Sequence, residues 1–338
     1  MRTDTAFFSP PPPQGRLAPS PTGLLHLGNG WAFLLAWLSA RSAGGVVILR
    51  MEDIDPARSR AHWAEAIMED LHWLGLDWDY GPDVGGPHAP YTQSLRSACY
   101  TAILERLTAA GHCYPCYCTR KELRQLAGAP HVEDMGAPYP GLCRRLTPRQ
   151  RAAREAAGRK ACVRLRCPEA PINFEDVVYG PQRFDLQHCG GDFALRRSDG
   201  VVAYQLAVVA DDAAMGITQV VRGRDILIST PRQILLYRLL GLPAPQYAHI
   251  PLLLDAQGER LAKRHQSLSL RALREKGIAP EAVVGLLAWL ARWQPRPEPL
   301  AAAALLPHFC LHRIPRDDMR VTQEMLERLH AETNTLRP

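Results

Sequence analysis

Apolar and polar positions alternate along the chain in two rhythms. Arg16-Leu17-Ala18 reads as a short strand, Pro19-Ser20-Pro21-Thr22-Gly23 as a turn, and Gly30 to Ala40 as an apolar helix. Val46 to Arg50 predicts a second strand, which ends at Met51-Glu52-Asp53-Ile54-Asp55. Pro56 stands where a first helical position would, with Asp55 as its cap, because a first turn leaves unpaired the N–H that proline lacks. Ile67, Leu71 and Leu74 then recur at helical spacing on one face. Strand, helix, strand, helix in this order predicts an α/β fold with a parallel sheet crossed by helices.

Between 112 and 170 the rhythm gives way to Cys, Tyr, Pro and Arg, which reads as an inserted module; a strand at Cys162 to Arg166 marks its return. A hairpin is expected around Ser198-Asp199-Gly200, with Val201 to Val209 as the returning strand or buried segment. Ile217 to Val221 and Ile250 to Leu254 read as further strands. After Gly258 the pattern is mostly helical, and Val283, Leu286, Leu287 and Leu290 share a face of a helix from Pro280 to Trp293. Residues 1–14, with Pro10 to Pro13, read as a disordered or polyproline leader. The expected divisions are thus 1–14, 15–111, 112–170, 171–255 and 256–338.

Composition narrows the class. With 338 residues, 46% apolar and 22% charged, the chain can bury a full core, which excludes a disordered or disulfide-scaffold protein. The apolar stretch Trp31 to Ala36 is far short of the roughly 18 residues of a membrane span, and the proline run precludes a signal-peptide core. A cytoplasmic enzyme-sized protein is the expectation. The net charge of +6 suits a polyanionic partner. The basic residues are almost all arginine, with Lys121, Lys160, Lys263 and Lys276 as the lysines. That bias matches GC-rich coding, so arginine abundance alone is discounted. Nine cysteines, crowded at Cys113, Cys116 and Cys118, hint at metal in a reducing compartment.

Four further groups of residues carry chemistry. A glycine-bearing turn before a helix, here Gly15 to Gly23 followed by His26-Leu27-Gly28-Asn29, is a cradle for phosphate, because free N–H groups and the helix dipole favour anions. His26 is placed to hydrogen-bond a phosphate whose charge grows in a transition state. Glu52 falls at the carboxyl end of a parallel strand, where such sheets bind ligands, and reads equally as an ammonium contact or a cap. Cys116-x-Cys118 and the distant Cys143 give three thiolates toward a tetrahedral zinc, with Cys113 and His131 as chemically usual fourth donors. Arg260-Leu261-Ala262-Lys263-Arg264 is a basic loop after the Asp255-Ala256-Gln257-Gly258 turn. Asp211 and Asp212 read as capping residues without a catalytic part, and Trp31, Trp37, Trp73 and Trp78 as core. The basic stretch Arg313 to Arg320 reads as solvated surface.

Together these motifs resemble the class I aminoacyl-tRNA synthetases of the glutamyl type. Arg16 to Asn29 is similar to their ATP signature and Arg50 to Pro56 to the adjoining motif. The order of motifs from Gly15 to Leu290 looks most like the short glutamyl-Q tRNA(Asp) synthetases. The resemblance implies a Rossmann-type parallel sheet, an inserted zinc-bearing module and a helical C-terminal region without a full anticodon-binding domain. It implies glutamate binding by Arg16, Leu17, Ala18, Pro19, Ser20, Glu52, Tyr204 and Arg222. Two arginine forks are what a dicarboxylate calls for. ATP binding falls to His26, Gly28, Asn29 and Lys263, with His26 and Lys263 catalytic. Lys263 matches the mobile lysine loop, in which Arg260 and Ala262 depart from the common pattern, as Asn29 does in the histidine motif. The family pattern makes Tyr139 the fourth zinc ligand beside Cys116, Cys118 and Cys143, with Cys113 as the alternative.

The implied reaction is RNA-independent activation of glutamate by ATP, with Mg²⁺, to glutamyl-adenylate. Transfer to the queuosine base in the anticodon of tRNA(Asp) then follows. The expected partners are glutamate, ATP and that tRNA, with neither DNA nor membrane. The alternatives are a truncated glutamyl-tRNA synthetase charging a 3′ end, and a non-enzymatic RNA-binding relative.

Overall fold

The computed structural model describes residues 11–119, 121–123, 139–261, 268–322, 324, 325 and 329. Strand β1 (Gln14–Leu17), helix α1 (Leu27–Ser42) and the parallel strand β2 (Val46–Leu49) form the first unit. Leu27, Trp31, Leu34, Leu35 and Leu38 of α1 are all buried, so this helix is covered on more than one side. Helix α2 (Ala61–Trp73) begins later than expected. Asp55 does not cap it: its carbonyl accepts from the N–H groups of Arg58 and Ser59 and its side chain from Ala57, closing a separate turn at Pro56. Arg60 is the residue that enters α2.

Helix α3 (Ser97–Ala109) leads to β3 (Cys113–Cys116), followed by α4 (Pro148–Ala156) and β4 (Cys162–Leu165). The parallel rhythm does not resume at β4. It pairs antiparallel with β3 and with β7 (Ala194–Arg196), so the third strand of this small sheet comes from beyond residue 170. Strands β5 (Ile172–Asp176) and β6 (Gly180–Phe184) make a hairpin before β7.

The turn at Arg197 to Gly200 forms as expected, but its return is a single bridge, Arg196 to Val202. Where a returning strand or buried segment was expected, helix α5 (Tyr204–Ala214) follows: the segment is buried, but as a helix. Leu206 to Asp212 are all buried, and a segment covered on every side shows neither helical nor strand periodicity. Strand β8 (Gln219–Gly223), helix α6 (Thr230–Leu240) and strand β9 (Gln246–Ile250) give a second parallel unit. The strand expected through Leu254 breaks at Pro251, and β10 (Leu253–Leu254) pairs instead with β11 (Met319–Arg320). Between these lie α7 (Leu270–Glu275) and α8 (Pro280–Leu290), the latter starting on its proline.

Strand order decides where a ligand goes. Residue Tyr80 bridges to β2, β2 pairs with β1, and Thr218 N–H donates to the Gln14 carbonyl at 3.0 Å, which sets β1 beside β8. Strand β9 then lies outside β8, with β5 and β6 beyond it. From β1 the chain crosses to β2 on one side, and from β8 to β9 on the other. The crossovers part between β1 and β8, and in open parallel sheets the crevice at such a switch point, at the strands' carboxyl ends, holds the ligand.

Candidate active site

A cavity of about 200 Å³ opens at that point. Arg16 and Ala18 from β1 line it, with His26, Gly28 and Asn29 at the entrance of α1. Glu52 beyond β2, Tyr204 at the start of α5 and Arg222 on β8 complete the polar wall. Trp31 joins the lining while also serving the core, its indole N–H donating to the Pro251 carbonyl at 2.9 Å. Leu17 is buried in the core and is not among the lining residues. Ser20 lines an adjoining cavity of about 420 Å³ that shares Glu52 and Tyr204 with the first.

His26 caps α1. Its Nδ1 accepts from the Asn29 N–H at 3.2 Å, and the Asn29 amide oxygen accepts from the His26 N–H at 3.1 Å. That reciprocal pair fixes the imidazole at the helix N-terminus, where the macrodipole favours an anion. Lys263 lies outside the described residues, as does His131. On either side of those residues in the chain, Leu261 lines the cavity and Ser269 bridges to His26. Arg260 pairs with Asp225 at 2.6 Å at the cavity wall.

The two arginines are held differently. Arg16 Nε lies 3.5 Å from Asp212, and one of its terminal nitrogens donates to the Val221 carbonyl at 3.5 Å. Arg222 Nε donates to His249 Nε2 at 3.1 Å, and its other nitrogens reach Thr230 Oγ1 at 2.7 Å and the Tyr204 hydroxyl at 3.5 Å. Both guanidinium groups are buried, at 6% and 5% exposure, so any carboxylate they meet is met away from water.

Behind them sits a network of which the sequence reading gave a part to Glu52 alone. Arg50 is fully buried, 3.0 Å from Glu52, 2.8 Å from Asp212 and 3.8 Å from Asp211. Burial works against its charge, and Asp212, Glu52 and Asp211 more than reverse that, raising its pKa. Glu52 is pushed up by burial, which Arg50 and Arg16 oppose. Asp211 accepts from Arg96, Gln93 and Tyr100 at 2.6 to 2.8 Å. Asp211 and Asp212 therefore are not caps: they are buried counter-charges within α5 that hold three arginines in place. Two adjacent aspartates inside an apolar run were the signal in the sequence.

The thiols form a second centre. The sulfur atoms of Cys116, Cys118 and Cys143 all lie within 4.8 Å of one another. The Tyr139 hydroxyl accepts the Cys143 N–H at 2.7 Å, with the Arg164 guanidinium 4.0 Å from the centre of its ring. Three soft sulfur donors at this spacing fit zinc, and the phenolic oxygen is in the same buried cluster. Cys113 is not. It packs against another cluster, the one that holds Leu104 and Leu165, because residues three apart on a strand face opposite sides. Cys162, opposite Cys116 in the strand register, adds a thiol that the motif did not flag.

The pattern of tRNA synthetases class I (E and Q), catalytic domain, matches residues 14–298. The chain is 57% identical over 321 residues to the glutamyl-Q tRNA(Asp) synthetase of Nitratidesulfovibrio vulgaris, covering 95% of this chain and 99% of that protein. It is 55% identical to the one of Symbiobacterium thermophilum, covering 94% and 99%. A glutamate-tRNA synthetase structure from Elizabethkingia anophelis superposes with a TM-score of 0.82 at 29% identity, over 96% of this chain and 71% of that one. The mixed α/β architecture with its parallel strands is thus the class I synthetase catalytic fold. The chain belongs to the class I tRNA synthetases of the glutamate and glutamine type, and within them to the glutamyl-Q tRNA(Asp) synthetase family of ligases.

Proposed function

We propose that this ligase activates glutamate with ATP in the absence of RNA and passes the glutamyl group to the queuosine base in the anticodon of tRNA(Asp). The observation that carries the reading is the convergence of two buried arginine forks, Arg16 and Arg222, with the Glu52 carboxylate on one cavity at a helix N-terminus. A dicarboxylic amino acid has a partner for each: its two carboxylates for the forks and its ammonium for Glu52. Ala18 and Tyr204 complete that wall, and the Leu17, Pro19 and Ser20 backbone carries it. In the first step a glutamate carboxylate oxygen attacks the α-phosphorus of ATP and pyrophosphate leaves. His26, Gly28, Asn29 and Lys263 stabilise the phosphates as charge builds. In the second step a hydroxyl of the cyclopentene ring attacks the acyl carbon and AMP leaves. Mg²⁺ accompanies ATP as its counter-ion.

The residues from 112 to 170, their sheet completed by β7, form a module held by zinc on Cys116, Cys118, Cys143 and Tyr139, between catalytic halves at 15–111 and 171–255, with the lysine loop and helical region from 256. Zinc there ties together a segment with little core of its own. The module also supports the RNA reading. Twelve Lys and Arg against five Asp and Glu fall between 112 and 170, an excess of seven, above the +6 of the whole chain. Location, rather than arginine abundance, is what suits a polyanion.

Exchange of labelled pyrophosphate into ATP, without RNA, tests the first step. Glutamate supports exchange and glutamine does so far less; absence of exchange with glutamate contradicts the reading. A truncated synthetase charging a 3′ end would place the label on the terminal adenosine instead.

A further inference from the structure

We infer that His249, oriented by Asp176 and backed by Thr230, is a positioning residue that fixes which N–H groups of Arg222 face the substrate, and so sets the preference for a carboxylate over an amide. The inference rests on the reading of Arg222 as a glutamate contact.

The hydrogen bonds assign the ring without ambiguity. His249 Nδ1 is 2.6 Å from Asp176 Oδ2, and a carboxylate only accepts, so Nδ1 carries the proton. Arg222 Nε only donates, so Nε2, at 3.1 Å from it, is bare. His249 is therefore neutral, and its lone pair faces both the Arg222 Nε–H and the Thr230 hydroxyl, whose oxygen is 3.0 Å away. Burial, with Arg222 adding to it, holds the imidazole pKa down at about 4. Asp176 is itself fixed by the N–H groups of Val178 and Tyr179 at 3.1 and 3.0 Å and by that of His249 at 3.1 Å. His249, Asp176 and Thr230 are buried to within 1% of complete exclusion from solvent.

The consequence follows from counting donors. Arginine has five N–H groups in a rigid fork. Arg222 spends Nε on His249, one N–H on Thr230 and one on the Tyr204 hydroxyl. Among the described residues, one N–H remains on each terminal nitrogen, a match for the two oxygens of a carboxylate. An amide would turn its own N–H₂ donors toward one of these. That mismatch is felt only if the fork cannot swing away, and the relay from Asp176 through His249 is what stops it. The Tyr247 ring, 5.1 Å from the guanidinium carbon, flanks it on another side.

Glutamate-dependent pyrophosphate exchange on H249F, H249Q, T230V and T230S tests this. H249F and T230V raise the KM for glutamate about tenfold or more, with kcat within about threefold and the KM for ATP unchanged, and they narrow the margin over glutamine. H249Q, whose amide oxygen accepts from Nε, and T230S recover most of the loss. A wild-type KM for glutamate in H249F or T230V overturns the inference, as does H249Q performing no better than H249F. If H249F does not fold, T230V against T230S decides. A wild-type protein without glutamate exchange overturns the functional reading itself, an outcome distinct from active wild type with indifferent variants.

Discussion

Arg50 has no solvent exposure and carboxylates on three sides, which makes it the hub on which the polar wall of the site is hung. Removing one partner of such a cluster is costly because the others stay buried and uncompensated. Arg50→Met is expected to destabilise the fold by about 3–5 kcal/mol, read from urea unfolding. A variant as stable as the wild type would mean that Glu52, Asp211 and Asp212 find other partners. Glu52 invites a milder test. Glu52→Gln keeps an acceptor for Arg50 but loses the charge meant for an ammonium. The KM for glutamate should then rise about tenfold with the KM for ATP unchanged. Equal changes in both constants would count against an amino-group contact.

At the scale of elements, α2 and α7 meet at Asp70, which is fully buried, with both carboxylate oxygens lacking a hydrogen bond among the described residues and Arg274 3.6 Å away. Burial lifts its pKa from 3.8 to about 6, with Arg274 and Arg271 pulling the other way. A folded value above the unfolded one means that the group's stabilising share is whole below about pH 4 and is lost as pH rises through about 6. Asp70→Asn removes that loss, gaining at most about 3 kcal/mol on the wild type near neutral pH and little in acid. Thermal melts across this range check it, and parallel curves for the two proteins would exclude it. In the thiol centre, purified protein is expected to carry one zinc per chain by atomic emission, and Cys143→Ser much less. Chelation should lower the melting midpoint; an unchanged midpoint after complete metal removal would deny zinc its structural part.

The elements also show what a sequence can carry. The histidine turn before α1 was readable because its residues act on near neighbours: the His26 and Asn29 pair spans three positions. The segment after β2 was readable only in part, since Asp55 closes a separate turn instead of capping α2. Tyr204 to Val209 was not readable as a helix, since the burial of every residue from Leu206 to Asp212 erases the period that separates helix from strand. Asp176 and His249 are 73 positions apart and meet only through the pairing of β5 with β9. Strand alternation, rather than cysteine chemistry, separates Cys113 from the other thiols.

On the scale of the whole molecule, charge is unevenly placed. Arg145, Arg149 and Lys160 are exposed in the proposed module, and α4, which carries Arg149 and Arg154, has no buried residue. If the module meets an RNA backbone, replacing Arg145, Arg149, Arg154 and Lys160 by alanine weakens transfer to RNA and flattens its salt dependence by up to about four counter-ions. Glutamate-dependent exchange stays at the wild-type rate. Transfer that keeps its salt slope would move the RNA elsewhere on the surface. The most direct test of the account as a whole is incorporation of labelled glutamate into tRNA(Asp) with and without queuosine, ATP being present in both. The account predicts label only on the queuosine-bearing RNA, released by nuclease with the modified base; label on both RNAs, or on the 3′ terminal adenosine, would contradict it.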